Sequence, residues 1–154
     1  MFLAKDLDRW IASHPALLPL YFLVLWVVLI FFIARLTGWA ALGEVYRATG
    51  ESAGQRWSFQ TAYMRWWSHY GNCLTVTADP RGLSLAVLWL FRIGHPPLFI
   101  PWEEISSQPA TWRWFRFVEL RFRCAPSIPF RITEGLAQKL APFLKVSPAV
   151  PILR

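Results

Sequence analysis

Residues 16–34 read ALLPLYFLVLWVVLIFFIA, a run of 19 positions without a charge. At about 1.5 Å rise per residue it spans roughly 28 Å as a helix, close to the ~30 Å hydrocarbon thickness of a bilayer. The chief rival is a secretory leader, whose apolar region is usually about 7–15 residues and ends in a small-x-small cleavage site. Here the run is longer, and Arg35, Leu36 and Thr37 follow it. The reading is therefore an N-terminal segment over 1–15 and a retained transmembrane helix over 16–35. Pro19 falls in the first turn, where a missing N–H costs little. Lys5 and Arg9 before the run are balanced by Asp6 and Asp8, while Arg35 and Arg47 follow it. That local count is nearly even. The basic remainder of the chain tips the orientation toward a cytoplasmic C-terminal domain.

Composition supports a chain that is partly out of water. Hydrophobic residues make up 55% and charged ones 16%, against about 25% charged in an ordinary soluble domain. The 10 Trp and 12 Phe are residue types enriched where apolar and wet surroundings meet. Net charge is +7, from 13 Arg and 3 Lys against 9 acids. Such a surface attracts anionic lipid or nucleic acid alike.

After the run, GWAALGEVYRA (38–48) keeps helical spacing, with Trp39, Leu42, Val45 and Tyr46 on one face. It fits an amphipathic helix along the membrane or a continuation of the anchor, with Trp39 at the interface. TGESAGQ (49–55) then breaks the pattern. Residues 36–56 are read as a juxtamembrane helix and linker.

From Trp57 the period is two, and residues 57–145 read as a mainly-β domain. WSFQTAYMRW puts Trp57, Phe59 and Tyr63 on one side. NCLTVTADPRGLSLAV (72–87) is a hairpin, with Pro80 suited to a turn and Gly82 expected to supply a positive φ. FRIGHPPLFIPW (91–102) cannot be a second span, because Arg92 and the Pro96–Pro97 pair sit in its middle. It reads as two strands joined by a turn. WRWFRFVELRFR (112–123) reads as one strand. Trp112, Trp114, Val118, Leu120 and Phe122 form its core face, and Arg113, Arg121 and Arg123 a basic face. SIPFRI offers a further strand. Thr133 caps a closing helix, EGLAQKLAPFL, with Leu136, Leu140 and Phe143 or Leu144 inward. Residues 146–154, with Pro148 and Pro151, are expected to be a flexible tail. The fold class is an N-terminal transmembrane helix plus a mainly-β domain of about six strands, closed by a C-terminal helix.

The segments LTVTADPRGLSL, LFIPWEEI, FVELRF, IPFRIT and LAQKL, in that order, resemble the pleckstrin-homology-like and GRAM-like superfold. The likeness covers roughly residues 57–145. It implies a bent antiparallel barrel or sandwich plugged by its last helix. The whole chain also resembles uncharacterised bacterial proteins with one membrane span and such a domain. The resemblance implies binding of protein segments or lipid headgroups at a bacterial inner membrane, not catalysis. The 79–82 turn offers only Arg81, so the basic inositide-binding loop of part of that superfold has no counterpart.

No constellation calls for an enzyme, a metal or a cofactor. His14, His69 and His95 have no second ligand at metal spacing. Ser68, His69 and Asp79 can be drawn as a triad, but nothing orients them. Glu103 and Glu104, on a strand, would face opposite sides. Cys73 and Cys124 match no metal spacing and are expected to be reduced. Arg65, Trp66 and Trp67 in MRWWSHY could stack on bases or form a headgroup belt, and the nearby anchor favours the belt over nucleic acid. The expected partners are the bilayer and a membrane or membrane-associated protein. The expected contacts are Arg65, Trp66, Trp67, Phe91, Arg92, Leu98 and Phe99. The apolar turn at 93–97 would meet the bilayer surface or that partner, with His95 neither ligand nor catalyst. The alternatives are headgroup binding by the basic aromatic domain and, more remotely, a membrane-associated enzyme.

Overall fold

The computed structural model describes residues 9, 13–50, 52–65, 67–112 and 114–144. The tail and most of the N-terminal segment lie outside them. A short 3-10 turn, Pro15–Leu17, leads into helix α1, Leu18–Thr37. Together they form 23 helical residues, long and apolar enough to cross a membrane. Most of α1 is exposed, but Ile30, Ala34 and Thr37 near its end are buried. Gly38, at φ 94°, ends the helix in a left-handed turn, a conformation that costs a residue with a Cβ about 1–2 kcal/mol. Helix α2, Trp39–Val45, follows at once.

The sheet has seven antiparallel strands: β1 Gln55–Met64, β2 Ser68–Ala78, β3 Gly82–Val87, β4 Leu98–Pro101, β5 Ile105–Trp112, β6 Phe115–Phe122 and β7 Ala125–Thr133. Helix α3, Glu134–Leu144, closes it. The spatial order is β4-β3-β2-β1-β7-β6-β5. Two meanders are thus joined through β1, which pairs β2 along its length and β7 only over Ala62–Met64. Register shifts between Trp57 and Ala62 bend β1 there. Phe59 takes φ 57° in this bulge and turns to solvent, so it does not share a core face with Trp57. Ala62 and Met64 fill the core instead.

The closing helix is as expected. Thr133 Oγ1 accepts from the Leu136 N–H at 3.4 Å, and Leu136, Leu140 and Leu144 are buried. Phe143 stacks on Trp102, ring centroids 6.3 Å apart, and meets Trp57 edge-on. The 79–82 hairpin is also present. Asp79 Oδ1 accepts from the N–H groups of Arg81 and Gly82 at 2.8 and 2.9 Å. The role of Gly82 differs from the expectation: its φ is not positive, and a Cβ there would lie 2.5 Å from the Ile100 carbonyl oxygen. Space, not backbone freedom, requires the glycine.

Several expectations need correction. The 112–123 stretch is not one strand, because Trp112 pairs with Phe115 and the chain reverses between them. Trp114, 94% exposed, belongs to no core face. The missed strand is β5, ISSQPATW, which buries Ile105 and carries small and polar residues from Ser106 to Thr111 at the sheet edge. Strand β3 stops at Val87, and Trp89–Phe91 is a 3-10 turn. Glu103 and Glu104 also lie in a 3-10 turn, not a strand. The juxtamembrane segment is no tether. Trp39, Leu42 and Tyr46 belong to the domain core, Val45 is exposed, and Arg47 bridges to Leu98 of β4.

Candidate interaction surfaces

Helix α1, long and apolar enough to cross a membrane, and the β domain are joined by packed contacts around the GHPP turn. Gly94, at φ 72°, brings its backbone against α1: a Cβ there would stand 3.1 Å from Ala34 Cβ. The Trp39 indole donates to the Pro96 carbonyl at 2.9 Å. Trp39 is fully buried, against Tyr70 and His95, rather than interfacial. A chain of polar groups runs through this apolar junction. His95 Nδ1 donates to the Ile93 carbonyl at 3.1 Å, leaving Nε2 to accept from the Tyr70 hydroxyl at 3.0 Å. The Tyr70 oxygen then accepts from Thr37 Oγ1 at 2.8 Å. Burial lowers the pKa of His95 below the ordinary 6.5, against its backbone hydrogen bonds, so the ring is neutral. Burial raises Tyr70 to about 12, partly offset by Thr37.

The sheet has an end facing the anchor and an end facing away. Leu88 N–H donates to the Cys73 carbonyl, and Met64 pairs with Ser68. The turn after Met64 and the 88–97 loop therefore leave the sheet at the same end, beside α1. The opposite end carries the 79–82 turn and the Gln55–Ala78 pair. Of the expected contacts, Arg65, Trp67, Phe91 and Arg92 lie at the anchor end, while Trp66 and Arg113 lie outside the described residues. Trp67 and Arg92 are exposed, and Phe91 is half-buried against Trp26, centroids 5.5 Å apart. Leu98 is a correction: it pairs with Leu85 and is fully buried in the core, so it faces no partner. Phe99 is another: it lies beneath the Arg81 guanidinium, 5.7 Å from the ring, away from the anchor end.

The basic face is interrupted. Arg121 and Arg131 both bind the buried Glu119, at 2.8 and 2.9 Å. Desolvation would raise the Glu119 carboxyl, but hydrogen bonds from Arg121, Arg131 and Gln108 outweigh it and hold the pKa below the ordinary value. Arg121 is thus committed to an internal carboxylate. Arg123 is exposed and donates to the Glu103 carbonyl at 3.0 Å.

A surface that sequence reasoning missed lies between β5 and α3. The groove encloses about 350 Å³ and is lined by Pro109, Ala110, Phe117, Ala137, Ala141 and Leu144, among others, within the size range of ligand clefts. Arg116 and Glu134 approach to 3.9 Å across one end. Among the described residues strand β5 has a neighbour only on its β6 side, which leaves one row of its backbone N–H and C=O groups without a strand partner beside the groove. The exposed Trp114 and Phe115 stand where β5 turns into β6.

The polar clusters hold structure. His69 and Asp79 lie at opposite ends of β2, ten residues apart, about 33 Å along an extended strand; no triad joins them. The Tyr46 hydroxyl donates to Glu104 at 2.6 Å and accepts the Cys124 N–H. Cys124 Sγ also donates to Glu104, at 3.4 Å. Cys73 and Cys124 are free thiols. No group of three metal-ligating side chains occurs among the described residues. No family model, curated protein or solved structure matches the chain.

Proposed function

We propose that the protein is a membrane-anchored, non-catalytic interaction module. Helix α1 holds a pleckstrin-homology-like β domain against a bacterial inner membrane, on the cytoplasmic side. A protein partner lays an extended segment along β5 in the groove beside α3. The observation that carries this reading is the combination of a free strand edge and an apolar groove on one surface. Main-chain pairing gives such a mode its affinity, and side-chain pockets give it selectivity. Pro109 lacks one donor on this edge, which restrains indiscriminate strand pairing. The pleckstrin-homology-like assignment is supported by the two meanders meeting at β1 and by the C-terminal helix that closes them. The non-catalytic assignment is supported by the engagement of His95, Cys124 and Glu104 in internal hydrogen bonds.

Co-purification of the full chain from membranes in mild detergent tests this reading. Ala137→Arg places a long charged side chain in the groove. It should abolish recovery of a partner that the wild-type chain retains, with the melting temperature unchanged. Retention of that partner by the Ala137→Arg chain would refute the groove. A second reading, headgroup binding, is favoured by the cleft where Arg35 and Arg47, two cations against the one carboxylate of Glu44, meet Gly94 and Pro96. Headgroup binding through arginines weakens as salt rises, whereas an apolar peptide groove is indifferent to it.

A further inference from the structure

We infer that residues 89–93 enter the hydrocarbon region of the bilayer beside helix α1, giving the β domain a second membrane contact of its own. The inference rests on α1 crossing the bilayer, and it follows from depth. Arg35 is the first charge after the apolar run. Phe91 packs on Trp26, nine positions before Arg35, or about 13 Å toward the centre of a ~30 Å core. Gly94, against Phe31 and Ala34, fixes the base of the loop to the last turns of the helix.

Drawing the membrane surface below the loop fails on length. Of the described apolar helix, Pro15–Thr37, only Pro15 to Trp26 would then remain for the core, about 18 Å. Leu29, Phe32, Ile33 and Leu36, all exposed on α1, would stand in water. Composition of the loop agrees with its depth. Trp89 is 76% exposed, and Leu90 and Ile93 are exposed as well, a patch continuous with the apolar surface of α1. The one charge, Arg92, lines a cleft with Thr49, Arg56 and Ser84. It therefore points back toward the domain, where its long stem lets the guanidinium reach the headgroups. Backbone polar groups of the loop are partly tied internally, through Phe91 N–H to Leu88 O, Arg92 N–H to Trp89 O and His95 N–H to Arg92 O. Non-helical backbone at membrane depth requires that, together with packing against protein.

The test uses the full chain with Cys73→Ser and Cys124→Ser, in vesicles of phosphatidylethanolamine and phosphatidylglycerol. Single nitroxide labels are placed through Leu90→Cys and Ile93→Cys, with Leu23→Cys as a helix reference and Lys139→Cys as an aqueous one. The loop labels should collide freely with oxygen and lose access to a water-soluble nickel chelate, as the Leu23 label does. Nickel access at Leu90 and Ile93 equal to that at Lys139, beside a protected Leu23, would overturn the insertion alone. Nickel access at Leu23 too would overturn the anchor with it. Mutual broadening of the Leu90 labels that survives dilution in lipid would make a second copy of the chain the occupant and also overturn the inference.

Discussion

The Tyr70 hydroxyl serves helix and loop at once, accepting from Thr37 and donating to His95. Removing it in Tyr70→Phe leaves the buried His95 Nε2 without its donor, while Thr37 Oγ1 keeps its 3.4 Å contact to the Ala34 carbonyl, at a cost of about 1–3 kcal/mol. The neutral His95 and ionised Glu119 also make acid destabilising in two steps. The pKa of His95 is lowered, so its contribution is complete above the ordinary 6.5 and falls as pH drops below it. That of Glu119 is lowered too, so its contribution is complete above 4.5 and is lost as pH falls through the folded value. Melting curves of detergent-solubilised protein against pH should show both steps. Glu119→Ala should shrink the lower one, since Glu104 is held low as well, and by removing the buried carboxylate that Arg121 and Arg131 share should cost about 3–5 kcal/mol. None of these partnerships was legible in the sequence. Thr37, Tyr70 and His95 are separated by 33 and 25 positions, and no periodic pattern couples residues so far apart. Arg121 read as part of a solvated stripe because Glu119, two positions away, looked like a surface carboxylate.

Among the elements, those with strong local chemistry were readable. The uncharged run, the Asp79–Gly82 turn and the Thr133-capped helix each carry their own signal. Strand β5 carries almost none, because an edge strand that buries little needs no apolar alternation. Its hairpin with β6 hid inside WRWFRF, where an exposed Trp114 mimics a core residue. The turn at 93–97 is legible as a connection, but not the early end of β3 at Val87 that lengthens it to 88–97, and its packing on α1 depends on Gly94. Gly94→Val should cost about 1–2 kcal/mol from the positive φ alone, with more from the crowding against Ala34. Gly50, with nothing within 4 Å of a Cβ, supplies the control: Gly50→Ala should leave the melting temperature unchanged. Equal behaviour of the two variants would mean that helix and loop are not packed as described.

For the whole molecule, the boundary between anchor and domain does not fall at the expected linker. Trp39, Leu42 and Tyr46 fill the core, and Ser52 Oγ meets Ser84 Oγ on the way to β1. A chain truncated to begin at Gln55 should therefore fail to fold, whereas one beginning at Gly38 should keep the β domain while exposing an apolar patch. Circular dichroism and proteolysis of the two truncations check this, and a folded Gln55 truncation would contradict it. The sequence showed an anchor and a β domain but not their fusion, because small and polar residues at 49–55 look alike whether they swing freely or lie along a sheet. That fusion has a mechanical consequence. A domain on a slack tether would sample a hemisphere above the lipid, whereas with α1 crossing the bilayer as proposed this one would be held at a single height and heading. Any lean of that helix, such as a thinner bilayer imposes, would become an equal lean of the β5 groove, so membrane thickness would set the angle at which the groove meets the proposed partner.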